Sequence, residues 1–173
     1  MSLICKETFS DIVAVYPIGA DVIGYTVPFN VRMRTYTLAQ LGVTGIDDLL
    51  AKADGYYSIG EEYVSSNVVE LEERESSLKS VTKETTAGRM YEVTLTLIIN
   101  ENSDKSANLM DRLIAQRHDM VVQLANGEYL LVRTGECAYI CKGEENFAKS
   151  YQQKLTISVQ NINGIQRINT TTA

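Results

Sequence analysis

Tyr91-Glu92-Val93-Thr94-Leu95-Thr96-Leu97-Ile98-Ile99-Asn100 alternates apolar and polar side chains up to Leu97. That is the period of a strand with one face buried and the other free to meet water or a neighbour. Just downstream, Asn102-Ser103-Asp104 offers a helix N-cap, and Leu109, Met110, Leu113 and Ile114 form one apolar stripe at the helical period. Met120-Val121-Val122-Gln123-Leu124 and Tyr129-Leu130-Leu131-Val132-Arg133 then flank Asn126-Gly127, the dipeptide that tolerates positive φ at both centres of a hairpin turn. Two more strands are expected over residues 134–141 and 154–161, separated by a turn at Gly143. In the last of them Leu155, Ile157 and Val159 line one face. Thr156, Ser158 and Gln160 on the other are uncharged hydrogen-bonding groups that suit an interface. The pattern over 89–165 reads as an α+β fold: mostly antiparallel sheet packed against one main helix.

The first half carries weaker signals. Residues 11–16 are a short apolar run that Pro17 and Gly19 are expected to end. Residues 21–34, with Gly24, Pro28 and Asn30, read as a loop crossing into another extended piece. A short helix is expected over 44–52, with Thr44 as cap, Asp47 and Asp48 in the first turn and Lys52 at the end. Residues 67–75 pass from apolar to strongly charged, as a strand leaving the core would. Residues 76–88 are mostly Ser, Thr, Lys and Glu, with single apolar residues at Leu78 and Val81, and read as a projecting hairpin arm or loop. These readings assemble into one α+β domain over 1–165, with 76–88 as its arm and 166–173 as a polar C-terminal tail.

With 173 residues, 45% of them apolar, the chain is long enough for a real core. The absence of Trp and the presence of only Pro17 and Pro28 argue against a Pro-rich disordered protein. The formal charge is −6 and no window gathers Lys and Arg, so no phosphate-tracking groove is expected. An acidic balance is compatible with a wall past which DNA slides. No run is long and apolar enough for a membrane span, and the first residues lack the blocks of a signal peptide, so cytosol-like conditions are expected. Three cysteines are poor arithmetic for a disulfide framework and are read as reduced.

Each residue with catalytic or ligating chemistry has a bland reading beside the functional one. His118, in Gln116-Arg117-His118-Asp119, could serve as a general base beside Asp119, but adjacency along the chain does not aim the two side chains at each other. The alternative is a cation at a helix C-terminus. Cys137 and Cys141, four residues apart on an extended strand, lie roughly 13 Å from one another, too far to share an ion, so with Cys5 they are read as small buried hydrophobes. Glu61, Glu62, Glu70, Glu72, Glu73 and Glu75 read as a solvated, edge-protecting charge run in preference to a hydrolytic acid pair. No phosphate-cradling Gly-rich loop occurs. Ten Tyr beside three Phe lean toward an assembly component, since Tyr is enriched at subunit contacts. No catalytic, cofactor-binding or metal-binding residue is therefore assigned, and no cofactor.

The region 90–165 resembles small virion proteins of tailed bacteriophages, those infecting Bacteroidetes above all. The resemblance is carried by Leu113-Ile114-Ala115-Gln116-Arg117-His118-Asp119-Met120-Val121-Val122, the hairpin Asn126-Gly127-Glu128-Tyr129-Leu130-Leu131-Val132, and Gln153-Lys154-Leu155-Thr156-Ile157-Ser158-Val159. It implies a neck or tail component of the virion (tail terminator, stopper or connector), assembled in the bacterial host cytoplasm as a closed ring of six- or twelve-fold symmetry. Its partners would be copies of itself and adjacent neck or tail proteins, with DNA passing through without specific binding and no membrane contact. The departure is the N-terminal half, which matches nothing in that family. Two alternatives stay open on the residues: a small hydrolase or metal-dependent enzyme using His118 with nearby acids, and a ligand-binding β module of a bacterial secretion or surface system.

Overall fold

The computed structural model describes residues 6–9, 11–59, 68–71, 76–86, 88–100, 103–134, 139–146 and 152–171. Along the chain these form β1 (Lys6–Phe9), β2 (Ile12–Gly19), β3 (Thr35–Thr37), a 3-10 turn (Ala39–Leu41), α1 (Ile46–Leu50), β4 (Tyr56–Ser58), β5 (Val68–Glu70), β6 (Ser77–Thr85) and β7 (Gly88–Ile99). There follow α2 (Asp104–Ala115), β8 (His118–Leu124), β9 (Tyr129–Val132), β10 (Tyr139–Asn146), β11 (Gln152–Asn161) and β12 (Gln166–Asn169). Sheet one has the order β1-β6-β7-β11-β10, and every pair in it is antiparallel. Sheet two runs β3-β12-β9-β8-β2-β4-β5, antiparallel except for the parallel pairs β3–β12 and β4–β5. The chain is mixed α+β, as its patterning predicts, but with two sheets where one was expected.

The alternation in β7 explains how the sheets meet. Val93, Leu95, Leu97 and Ile99 are buried while Thr94, Thr96 and Ile98 are half-exposed, so sheet one has one wet face and one dry face. Its dry face, with Leu78, Leu155, Ile157 and Val159, shares a core with Val15, Tyr57, Met120, Val122, Leu130 and Val132 of sheet two and with Leu109, Met110 and Leu113 of α2. Strand β8 shows no such alternation, being buried at six of its seven positions. Its Val121 joins Ala14, Tyr16, Ile18, Leu131 and Ile168 on the far side of sheet two, covered by Ile23, Tyr36, Leu38, Leu41, Val43 and Leu49. Sheet two is thus buried on both faces and sheet one on one.

Helix α2 begins where the sequence marks its cap: the Ser103 hydroxyl accepts from the Ser106 N–H at 3.2 Å. Three contacts then fasten it to the edge of sheet one. The Ser106 hydroxyl donates to Gln153 Oε1 (2.9 Å), Met110 lies over Gly143, and the Tyr139 hydroxyl donates to the Leu113 carbonyl (2.7 Å), one of the carbonyls a helix end leaves free. The predicted stripe is displaced by part of a turn. Ser106, Leu109, Met110 and Leu113 face the core, and Ile114 stands 51% exposed.

Several sequence-based expectations give way to packing. Strand β2 does not stop at Pro17 but continues to Gly19. The Pro17 carbonyl accepts from the Asp54 N–H (3.2 Å) on the side facing β4, so its missing N–H falls on that same side, beyond the ladder pairs at Ala14 and Val15. Gly143 makes no turn. It sits within β10, where a Cβ would come 2.5 Å from Met110 Sδ, so glycine serves there to admit the helix. The tail read from residue 166 begins only after β12: Gln166 and Ile168 are buried, and Gln166 Nε2 donates to the Met33 carbonyl at 2.8 Å. Helix α1 is shorter than expected and is capped at Gly45 without a side-chain bond, while the Thr44 hydroxyl reaches Asp48 instead. The hairpin between β8 and β9 is present, but Gly127 N–H bonds the Leu124 carbonyl, so Ala125 and Asn126 are the turn centres and Gly127 follows at φ 88°. The stretch 76–88 contributes β6, whose Leu78 and Ser80 are buried in the sheet.

Leu97→Ala should lower the unfolding free energy by about 3 kcal/mol, because its side chain is enclosed between the sheets. Thr96→Ala, one residue away on the wet face, should change it by less than about 0.5 kcal/mol. Urea unfolding of the two variants measures the contrast, and similar losses would contradict the assigned faces.

Candidate functional site

Register across sheet one orders its outer face into rows. Lys79, Thr94, Ser158 and Ile140 form one; Ser77, Thr96, Thr156 and Lys142 the next; Ile98, Lys154 and Glu144 a third. Thr94, Thr96, Thr156 and Ser158 are half-exposed, Lys79, Lys142, Glu144 and Gln160 are exposed, and Ile140 is 54% exposed. Both helices pack into the two buried clusters, so among the described residues nothing lies over this face. The hydroxyl row read from β11 therefore continues across β7. Strands β1 and β10 are the ends of this sheet, and each leaves one edge unpaired among the described residues. Among the described residues the pairing with β1 reaches Val81 and the pairing with β11 reaches Tyr91, while the β6–β7 ladder runs on to Thr85 and Gly88. There Lys83 pairs with Glu92, and the Arg89 carbonyl accepts from Arg32 Nη2 at 2.9 Å.

A buried polar network lies on the other side of the molecule. Asp119 Oδ1 accepts from both the N–H and the hydroxyl of Thr134 (2.8 Å each), and Oδ2 accepts from the Tyr25 hydroxyl (2.7 Å). The Arg133 guanidinium stacks 3.7 Å from the Tyr25 ring centre, and its Nη1 donates to the Val27 carbonyl (2.8 Å) and the Tyr36 hydroxyl (3.2 Å). Burial holds the Asp119 carboxyl above its ordinary range, even though Thr134, Tyr25 and Arg133 pull it down. Burial, and then the Asp119 charge, also push the Tyr25 hydroxyl well up, so the proton stays on the phenol. These groups are saturated with one another, and the network's evident work is to hold the loop 20–34 on sheet two.

His118 is not a cation at a helix end. Helix α2 stops at Ala115, and His118 opens β8 with no exposed surface. Its Nδ1 faces the Gln116 carbonyl (3.0 Å) and its Nε2 faces Asp54 Oδ2 (2.7 Å), while Asp119 is turned to Thr134 and Tyr25. A carbonyl only accepts, so Nδ1 carries a hydrogen. Asp54 in turn lines a cleft of about 130 Å³ with Gly55, Lys105, Asn108, Leu109 and Arg112.

The remaining residues weighed on sequence do not converge. Cys141 is half-buried on β10, and burial pushes its thiol up to about 11, as suits a packed side chain more than a nucleophile. Glu70 ends β5 exposed. Cys5, Cys137, Glu61, Glu62, Glu72, Glu73 and Glu75 lie outside the described residues. Among the described residues no three of His, Cys, Asp and Glu gather as metal ligands would. Sequence reasoning missed Asp54, Lys105, Asn108 and Arg112. The spacing of the last three, i, i+3 and i+7 on one predicted helix, was the available signal. Compared with known proteins, the chain matches no family model, no curated protein and no solved structure.

Because the folded state holds the proton on Asp119 more tightly than the unfolded chain does, this group's contribution to stability is complete below the ordinary carboxylate range. It is lost as pH rises through the raised value. Asp119→Asn does not titrate, so the unfolding free energy of the variant minus that of the parent should climb with pH from about 4 upward. Urea unfolding at a series of pH values measures this difference; a flat or falling difference would contradict the raised carboxyl.

Proposed function

We propose that this chain is a non-enzymatic building block that assembles with copies of itself into a closed ring of six- or twelve-fold symmetry in the neck or tail of a tailed bacteriophage. The observation that carries the reading is the unequal treatment of the two sheets. Sheet two is sealed on both faces, whereas sheet one presents a hydroxyl-rich face bounded by two end strands. Such a face is inexpensive to leave wet in the monomer and offers aligned donors and acceptors to a neighbour. The tip of the β6–β7 hairpin, where the ladder runs on to Thr85 and Gly88, is the arm that reaches an adjacent subunit or ring. A formal charge of −6 supports a channel that does not grip DNA. The resemblance of 90–165 to virion proteins supplies the phage setting. The hydrolase alternative loses support because both ring nitrogens of His118 are engaged and the ring is fully enclosed.

Sedimentation of the purified full chain should show a closed oligomer, with rings in negative-stain images. Deleting residues 83–89 at the hairpin tip, or Thr156→Arg on the open face, should shift the population toward monomer while the far-ultraviolet circular dichroism stays as in the parent. A parent chain that remains monomeric at about 100 μM, some tenfold or more above a micromolar contact, would overturn the ring.

A further inference from the structure

We infer that the free edge of β10 is a two-fold interface, at which a second copy of this chain adds its own β10 antiparallel and sheet one runs on from one copy into the other. The strand ends its sheet and is unpaired on one side among the described residues. Along such an edge only alternate residues turn N–H and C=O outward, so a copy related by a two-fold axis must place that axis on a residue. Lys142 and Glu144 select which one. An axis at Lys142 or at Glu144 sets that charge against itself, whereas an axis at Gly143 sets Lys142 of each copy opposite Glu144 of the other, twice over. Both side chains are exposed on the open face, and among the described residues neither forms an ion pair. Lys154 stands opposite Glu144 on β11, so the row across the junction reads Lys142, then Glu144 and Lys154 of the second copy.

The same axis brings a second layer together on the inner side of the strand. Met110 lies over Gly143, and the Ser106 hydroxyl bonds Gln153 of β11, so α2 rests on the outer two strands of the sheet. Ala107 and Ile114 stand three residues before and four after Met110, on the side of the helix away from buried Ser106 and Leu113. Both are exposed, Ile114 at 51%. With the axis at Gly143, α2 and its copy run antiparallel about two strand spacings apart, or about 10 Å, the distance at which helices pack. Ile114 of each copy then meets Ala107 of the other, a large side chain against a small one. Edge hydrogen bonds, two facing charge pairs and an apolar helix contact thus converge on one axis.

This contact is separate from the proposed ring joint on the open face and hairpin tip; combined with it, the two-fold edge would hold copies in pairs and make their number even. Sedimentation equilibrium of the full chain, as it stands and with Lys142→Glu, Glu144→Lys or both, tests the edge. The parent should associate in pairs with a dissociation constant of about 10 μM or below. Each single reversal sets like charges opposite one another at two places and should weaken the association about tenfold. The double exchange restores opposite charges across the axis and should return to within about threefold of the parent, a rescue that requires the two positions to face each other. A rescued dimer without larger species supports this edge while counting against the ring. A parent whose assembly ignores the single reversals, or a double exchange as weak as either one, overturns the edge and leaves the ring standing; a parent monomeric up to about 100 μM overturns both.

Discussion

Strand β8 is buried at six of its seven positions and turns neither face to water, and most of the architecture answers that constraint. Met120, Val122 and Leu124 point into the space between the sheets, while Val121 points the other way. Each such side chain gains about 1.5–3 kcal/mol from full burial, so a second layer is needed on both sides of the sheet that β8 centres. One layer is sheet one together with α2. The other is a folded-over segment, mostly loop with the 3-10 turn and α1 set into it, that supplies Ile23, Leu38, Leu41, Val43 and Leu49. Irregular backbone over a core carries its own difficulty, because its peptide groups must find partners away from the ladders.

The Arg133 and Asp119 network resolves part of that difficulty. Arg133 follows directly after β9 and reaches into the cover, where it gives a hydrogen to the Val27 carbonyl and lays its guanidinium on Tyr25, with Phe29 a further 5.5 Å contact. Asp119, at the start of β8, takes the Tyr25 hydroxyl. The strands that need covering thus carry the side chains that hold the cover down. Elsewhere in the same layer two backbones approach so closely that only glycine fits. Gly42 has φ 71°, and a Cβ there would lie 2.5 Å from the Gly24 carbonyl oxygen. Charged and polar residues are rarely enclosed without partners, and nearly every donor in this network has one.

How far the sequence could be read depends on whether neighbours along the chain or across space decide a residue's place. The face of β7, the Ser103 cap and the hairpin near Gly127 are local matters, set by periods and turn chemistry that a window of ten residues contains. Gly143 and Gln166 are different. A glycine amid Lys142 and Glu144 looks like a turn until Met110 is found above it, and Gln166 reads as tail until its amide reaches Met33, 133 residues earlier in the chain. Asp54 and His118 are separated by 64 residues, and each alone has an ordinary surface explanation. Only the fold brings them into contact. The second sheet was hidden for the same reason: β3, β4 and β5 are three residues each, too short to show a period.

Sheet one bears on the proposed ring through what it lacks. Its open face has hydroxyls at its centre and aliphatic side chains, Ile98 and Ile140, toward its margins. Burying hydroxyls against a partner returns little unless each finds a bond, whereas a mismatched partner leaves them unsatisfied at about 1–3 kcal/mol apiece. A face of this kind therefore discriminates more than it attracts. The end strand β10 works in the same direction. Lys142 and Glu144 alternate along its outer face beside exposed Ile140, the mixed charge pattern by which natural edges refuse indiscriminate strand pairing. A copy that meets those charges with their opposites would gain the edge hydrogen bonds, and one that does not is held off. In the proposed ring the selectivity of the open face would fix the one heterologous contact each copy makes, and the cycle closes because the rotation of that contact divides a full turn without a rise.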